Sequence, residues 1–145
     1  MQNHVVFKAL MLAGALPFVA CALLPLFGVV SFGPIGSLHT VAGGYGFGIL
    51  SFVAGTHWAF QLLRPSETPL NLFIASNVVF LVVWIGWVVA PLNWALILQA
   101  LAFAFLLYVD RGLATRGITT IAYLRIRLIA TGAAIVSLLA IVVTP

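Results

Sequence analysis

Five long apolar stretches follow one another along the chain, and short segments containing proline, glycine or charged residues separate them. A transmembrane helix needs about 20 predominantly apolar residues, and each stretch reaches or nearly reaches that length. The pattern therefore predicts an all-α fold, a polytopic bundle of five transmembrane helices forming one domain over residues 1–145. The predicted spans are about Val5–Val30, Leu38–Leu63, Leu70–Ala90, Leu92–Val109 and Leu124–Val143.

The positive charges give this bundle a predicted orientation. Five crossings place the amino terminus, the second connection and the fourth connection on one side of the membrane. These three regions, together with the first four residues of the spans that follow the first and the third of them, contain every cation of the chain: Lys8, Arg64, Arg111, Arg116, Arg125 and Arg127. Short cytoplasmic segments are enriched in lysine and arginine. We therefore expect a cytoplasmic amino terminus and an outer carboxyl terminus, with Trp84, Trp87 and Trp94 in an aromatic belt near the outer face.

Composition narrows the class of protein further. The 145 residues are 64% hydrophobic and 6% charged, whereas soluble domains carry roughly 25% charged residues. The net charge of +4 is spread over few cations, which favours anionic lipid headgroups over nucleic acid as a partner. Cys21 is the only cysteine, which excludes an intrachain disulfide. The first apolar stretch continues past Cys21 to Val30, so we expect an uncleaved helix.

Small residues form a stripe along the second predicted helix. Successive residues are about 100° apart on a helix, so four of them share one face: Gly44, Gly48, Ser51 and Gly55. Such a stripe lets another helix approach closely. The partner helix lies either within the bundle or in a second protein, which includes another copy of the chain.

His57 is the leading candidate for a functional residue, because ionisable side chains within a span are rare. One interpretation is a neutral histidine bonded to Gln61 or to a neighbouring helix. The other is a proton-responsive group or a donor to a ligand such as a quinone. The candidate ligand-binding residues are His57, Tyr45, Trp58, Gln61 and Ser51. His39 stands about 27 Å away on the same helix, so the two histidines cannot share a metal.

The fourth connection collects most of the remaining charge. Four arginines in this connection or in the first residues of the fifth span are expected to contact lipid headgroups or to set topology: Arg111, Arg116, Arg125 and Arg127. Arg125 and Arg127 diverge by about 200° on a helix, so one of them can reach Asp110 inside the bundle while the other extends to phosphate. A docking surface for an acidic partner is the alternative.

The usual catalytic sets are not visible in the sequence. Both acidic residues, Glu67 and Asp110, fall in predicted connections, and no Ser/His/Asp set, zinc motif or phosphate loop accompanies them. We therefore expect a non-catalytic protein without a metal site, and the sequence identifies no cofactor.

The second helix resembles the signature of a family of small multispanning proteins of unknown function. The similar residues run from Gly44 to Phe52, with Gly55 and the pair His57 and Trp58 following, and residues 123–125 are similar too. This resemblance implies five spans in a bacterial inner membrane. The family also includes a mitochondrial transmembrane relative. Our first functional hypothesis is a component or assembly partner of a larger membrane complex. The alternative is a binder or carrier of a small apolar ligand such as a quinone.

Overall fold

The computed structural model describes residues 2–68 and 70–144, and the regular elements in these two ranges are helical. Pro69, in the predicted second connection, and the two terminal residues of the predicted domain lie outside the described residues. The helices are α1 (Gln2–Ala13), α2 (Leu16–Leu23), α3 (Leu38–Leu63), α4 (Leu72–Val89), α5 (Leu92–Thr115) and α6 (Ile121–Val143). Two 3₁₀ turns, Leu24–Phe27 and Gly33–Ile35, follow α2.

Five helical segments are long and apolar enough to cross a membrane. The first, Val5–Phe27, combines α1, α2 and the 3₁₀ turn, and the other four are α3 to α6. Many apolar side chains on their outer surfaces are exposed, as expected where lipid is the solvent. The all-α prediction with five candidate spans is confirmed for the described residues.

The helix ends follow from local side-chain capping. Ser37, Asn71 and Thr120 each accept a hydrogen bond from the backbone N–H three residues later, at 3.1–3.2 Å. Such caps satisfy N–H groups that have no partner within the helix. Several helix ends differ from the predicted bounds by one to three residues, and the largest difference is at α5, which continues six residues past Val109. Asp110 therefore lies within a helix and not in a connection.

The first span is broken near Gly14. Pro17, in the first turn of α2, has no backbone N–H and cannot continue the hydrogen-bond ladder of α1. The Tyr45 hydroxyl of α3 donates to the Gly14 carbonyl at 3.0 Å, which satisfies a backbone acceptor at the break. The break redirects the chain, so that α1 packs against α6 while α2 packs against both α3 and α6.

The α5 helix has the largest buried share of the five candidate spans. It packs against α3, α4 and α6, and most of its buried apolar side chains join the main core. The largest fully buried aromatic residues are Phe18 and Phe103, whose rings meet edge to face at a centroid distance of 5.7 Å. Trp87 packs over Gly43, where the missing side chain leaves room for the indole ring. Of the three tryptophans predicted at one interface, Trp84 and Trp94 are exposed.

The cation-bearing regions meet at one end of the bundle, which we call the cationic end. Phe7 of α1 stacks on Tyr123 of α6 at 5.9 Å between ring centroids. Arg116, after α5, donates to the Glu67 carbonyl in the α3–α4 connection at 3.2 Å. These two contacts join the start of α1, the α3–α4 connection and the α5–α6 connection.

Candidate functional site

Three charged or ionisable side chains form a chain of hydrogen bonds inside the bundle. The Arg127 Nε donates to Asp110 Oδ2 at 2.7 Å, and His57 Nε2 lies 2.9 Å from Asp110 Oδ1. His57 is 1% exposed, Asp110 0% and Arg127 6%. These residues belong to α3, α5 and α6, so the buried chain of hydrogen bonds, here called the triad, connects three of the five candidate spans.

The triad lies below the surface of the cationic end. His57 precedes the end of α3 by six residues, and Arg127 follows the start of α6 by six. At 1.5 Å per residue, both are about 9 Å inside their helix ends. All three side chains are buried, so charges there must be paired. The Asp110 carboxylate compensates the Arg127 guanidinium, and because an ionised carboxylate can only accept, we assign His57 Nε2 as a donor.

Helical periodicity places each member of the triad on a buried face. In α3, His57 follows Leu50 and Val53 along the stripe that faces the core, and Gln61 continues it one turn later. In α5, Asp110 follows Phe103 and Leu106 in the same way. The spacing of three or four residues is that of a single helix face. The two faces meet because α3 and α5 pack together.

A cavity of about 440 Å³ lies beside the triad. It is bounded by both halves of the broken first span and by α3, α5 and α6. Its walls are mostly apolar, including Leu10, Phe18 and Phe103, and Arg127 forms part of the lining. Leu10 and Phe52 also line it and are exposed on the outer surface of the bundle. The cavity therefore opens sideways between α1 and α3, toward the space that lipid would fill.

Two polar side chains in the cavity wall have atoms that lack a partner. The Nη2 of Arg127 and the Oγ1 of Thr131 are buried and form no hydrogen bond with any described residue. Both residues line the cavity, and they follow each other by one turn on α6. A buried polar atom without a partner costs about 1–3 kcal/mol. Neither atom is exposed to the open space of the cavity, so an acceptor there reaches them only after the side chains rotate.

The predicted ligand-binding residues do not gather around this cavity. The lining described for it includes none of His57, Tyr45, Trp58, Gln61 and Ser51. His57 belongs to the triad, and Tyr45 bonds to the break in the first span. Trp58 is 44% exposed and packs edge to face on Phe73. The five residues therefore have separate surroundings.

The side chains of Gln61 and Ser51 form hydrogen bonds with backbone groups. The Gln61 Oε1 accepts from the Leu72 amide at 2.8 Å and from the Thr68 hydroxyl at 3.1 Å, and its Nε2 donates to the Pro65 carbonyl at 3.1 Å. Gln61 thus holds the α3–α4 connection against the start of α4. The Ser51 hydroxyl donates to the Phe47 carbonyl one turn earlier at 2.8 Å.

The small-residue stripe of α3 faces outward. A side-chain carbon added at Gly44, Gly48 or Gly55 would meet no atom within 4 Å in the described part of the chain. The close helix contacts are made by Gly43 and Gly46, which lie on the opposite, buried face and pack against Trp87 and Gln99. The alternative of packing within the bundle therefore applies to Gly43 and Gly46 and not to the stripe.

The four arginines expected at the headgroups separate into two groups. Arg111, Arg116 and Arg125 are exposed at the cationic end, whereas Arg127 is buried against Asp110. For Arg127 the structure therefore replaces a headgroup contact with an ion pair inside the bundle. Arg127 and not Arg125 reaches Asp110 because Arg127 lies on the buried face of α6, which continues through Thr131 and Leu138.

Sequence reasoning missed the cavity and the role of Thr131. The contact between His57 and Asp110 was missed because the predicted fourth span ended one residue too early to include the carboxylate. A signal was available, since Asp110 continues the spacing of Phe103 and Leu106 along α5. The cavity gives no comparable signal, because it depends on the direction in which α1 leaves the break at Gly14.

Comparison with known proteins assigns the chain to a protein family. No curated protein and no solved structure matches this chain. A family model described as "Protein of unknown function (DUF3429)" matches residues 4–143, which covers all five candidate spans and includes the triad, the cavity lining and the outward stripe. Because the match extends over nearly the whole sequence, the chain belongs to the DUF3429 family.

Proposed function

We propose that this protein binds a small, mostly apolar molecule that enters from the bilayer, of which a quinone is one example. One observation carries this proposal: an apolar cavity of about 440 Å³ whose lining includes Arg127 and Thr131, two side chains that each keep a buried polar atom without a hydrogen-bond partner among the described residues. Ligand pockets are typically about 300–1,000 Å³ and combine apolar walls with a few polar groups. The cavity fits that description.

The sideways opening supports entry from lipid. Leu10 and Phe52 border the cavity and are exposed on the outer surface of the bundle. A ligand that partitions into the membrane reaches this opening by lateral diffusion, without crossing a charged surface. The broken first span supports the same function, since irregular backbone within a membrane is tolerated where it is buried or borders a cavity.

Filling the cavity tests the proposal. The purified full-length chain in lipid nanodiscs is exposed to an alkyl diazirine probe, and the labelled peptides are identified by mass spectrometry. We expect saturable labelling of the cavity walls in α1 and α6. Ala130 lines the cavity, so Ala130→Phe should reduce labelling at least about tenfold, which corresponds to about 1.4 kcal/mol of binding free energy.

The control variant is Ala122→Phe, an identical change at an exposed site on the same helix. It should leave labelling unchanged. Labelling that never saturates, or that is spread evenly over lipid-facing helices in both variants, would reject a specific binding site.

A second candidate function is association with another membrane helix, as a component or assembly partner of a larger membrane complex. The outward stripe supports it, because Gly44, Gly48 and Gly55 leave a smooth exposed face free of contacts within the described residues. Small residues on such a face allow close helix packing in lipid. Gly48→Leu should lower the oligomeric mass measured by light scattering in mild detergent. The same measurement on Val78→Leu, an exposed position of α4, should match the unsubstituted chain.

For location, we propose a bacterial inner membrane with the cationic end in the cytoplasm. The gathering of the cationic regions at one end supports this orientation. In a Cys21→Ala background, a membrane-impermeant maleimide added to intact cells should label Ser31→Cys and not Ser66→Cys. Both positions are exposed, and they lie in connections at opposite ends of α3. Labelling of Ser66→Cys and not of Ser31→Cys would show the opposite orientation, with the cationic end outside.

A further inference from the structure

We infer that the polar head of the ligand is a neutral hydrogen-bond acceptor, namely a carbonyl such as that of a quinone, and not a carboxylate. This inference rests on the proposed ligand binding and adds the chemical class of the head group. It follows from the charge balance of the triad and from the identity of the two unpartnered atoms.

The positive charge of Arg127 is already compensated. Its Nε donates to Asp110 Oδ2 at 2.7 Å, and the other carboxylate oxygen lies 2.9 Å from His57 Nε2. The carboxylate and the guanidinium cancel each other, so the ion pair of Asp110 and Arg127 carries no net charge. The remaining polar side chains in the cavity wall are the uncharged groups of Tyr123, Thr56 and Thr131. A second anion would therefore find no uncompensated cation in this wall.

An added carboxylate would leave one negative charge unbalanced in hydrocarbon. Burying an unpaired charge is far more costly than burying a neutral polar group. A carbonyl oxygen adds no net charge, and it accepts a charge-assisted hydrogen bond from a guanidinium, which is stronger than a bond between neutral groups. Arg127 and Thr131 line the cavity, and rotation of either side chain brings its unpartnered atom, Nη2 or Oγ1, to such an oxygen as a donor.

The same residues orient the ligand. Arg127 lies about 9 Å from the start of α6 at the cationic end, whereas Ala134, two turns further along this helix, lines the inner part of the cavity together with Phe18. The head therefore lies toward the cationic end. The apolar part extends from there toward the middle of the membrane.

Two probes with the same tail separate the possible head groups: 2-decyl-1,4-benzoquinone and 4-decylbenzoic acid. Their dissociation constants are measured by native mass spectrometry of the full-length chain released from detergent micelles, at a pH where the acid is ionised. We expect the quinone to bind at least about tenfold more tightly, which corresponds to about 1.4 kcal/mol. Equal or tighter binding of the acid would overturn the inference and leave the proposed ligand binding intact. Failure of both probes to bind would overturn both.

A matched pair of variants tests the position of the head. Thr131→Val removes a hydroxyl with almost no change in shape and should weaken quinone binding about threefold to tenfold. Ser137→Ala removes a buried hydroxyl on the same helix outside the cavity lining and should leave binding unchanged. Equal affinities in the two variants would place the head away from Thr131 and overturn the inferred orientation. Helical circular dichroism of each variant establishes that the bundle is folded.

Discussion

Asp110 on α5 accepts a hydrogen bond from the Arg127 side chain on α6 at 2.7 Å, and both side chains are buried. The carboxylate is also 2.9 Å from His57 on α3. One acidic side chain thus connects three candidate spans. Because these side chains are buried away from solvent, each charge depends on its partner for stabilisation, and this dependence gives the first two predictions.

Asp110→Asn should destabilise the bundle by about 3 kcal/mol or more, because it leaves the Arg127 charge buried without a counter-charge. Denaturation of the purified chain in detergent, followed by circular dichroism, measures the free energy of unfolding. The double variant Asp110→Asn, Arg127→Met should recover part of the loss, since neither charge remains. A double variant less stable than the single one would contradict this account.

Glu67→Gln provides the control for that experiment. Its partner is Arg64 at 3.0 Å, but both side chains are about half exposed. Exposed ion pairs contribute only about 0–1 kcal/mol, because water solvates both partners and salt screens them. Loss of this pair should therefore change the free energy of unfolding far less than Asp110→Asn does.

His57→Ala should permit membrane insertion and cost about 1–3 kcal/mol, since one hydrogen bond to Asp110 is lost while the ion pair with Arg127 persists. Its effect on stability should be smaller than that of Asp110→Asn. His39→Ala is the comparison, because His39 is only partly buried at the other end of α3. If His57→Ala proves as destabilising as Asp110→Asn, the histidine carries more of the charge balance than this geometry assigns to it.

Replacing two different glycines of α3 by alanine should have opposite effects on the free energy of unfolding. At Gly46 a new side-chain carbon would collide with the Gln99 amide oxygen, whereas at Gly44 it would meet no described atom within 4 Å. We expect Gly46→Ala to cost about 1–3 kcal/mol through overpacking. Gly44→Ala should be neutral or stabilising by up to about 1 kcal/mol, because alanine favours helix. Equal free energies of unfolding would show that Gln99 moves aside.

Tyr45→Phe removes the hydroxyl that donates to the Gly14 carbonyl at 3.0 Å. The expected loss of stability is about 1 kcal/mol. Because the break at Gly14 shapes the cavity wall, saturable labelling by the alkyl diazirine probe should weaken too. Tyr108→Phe removes a hydroxyl from a side chain that is 70% exposed and should change neither quantity. Normal labelling in Tyr45→Phe would show that the break persists without this hydrogen bond.

Much of the fold could be predicted from local patterns. Apolar run lengths predicted five candidate spans, and the start and end of α3 were predicted to the residue, Leu38 and Leu63. The end of α5 was not predicted correctly, because two adjacent charged residues, Asp110 and Arg111, are typical of a connection between spans. Inside the bundle, a paired carboxylate is compatible with a helix, and composition alone does not show whether a partner is present.

The candidate site was predictable only in part. The sequence marked His57 as unusual and noted that Asp110 could be reached by one of two arginines. It grouped His57 with Tyr45, Trp58, Gln61 and Ser51, which share one helix but point in different directions. Sequence proximity within α3 does not bring these side chains together, because each turn of the helix distributes them around its axis.

The sequence by itself predicted a lipid surrounding, and it determined the helical class and the gathering of cations at one end, since these depend on composition and on residue order. The tertiary structure alone decided which arginine pairs with Asp110, which face of α3 packs inward, and that a cavity lies beside the triad. The physical reason is that burial and pairing depend on helix rotation and on the direction of the chain after Gly14. Both are set by contacts between residues far apart in sequence, such as Tyr45 with Gly14 and His57 with Asp110.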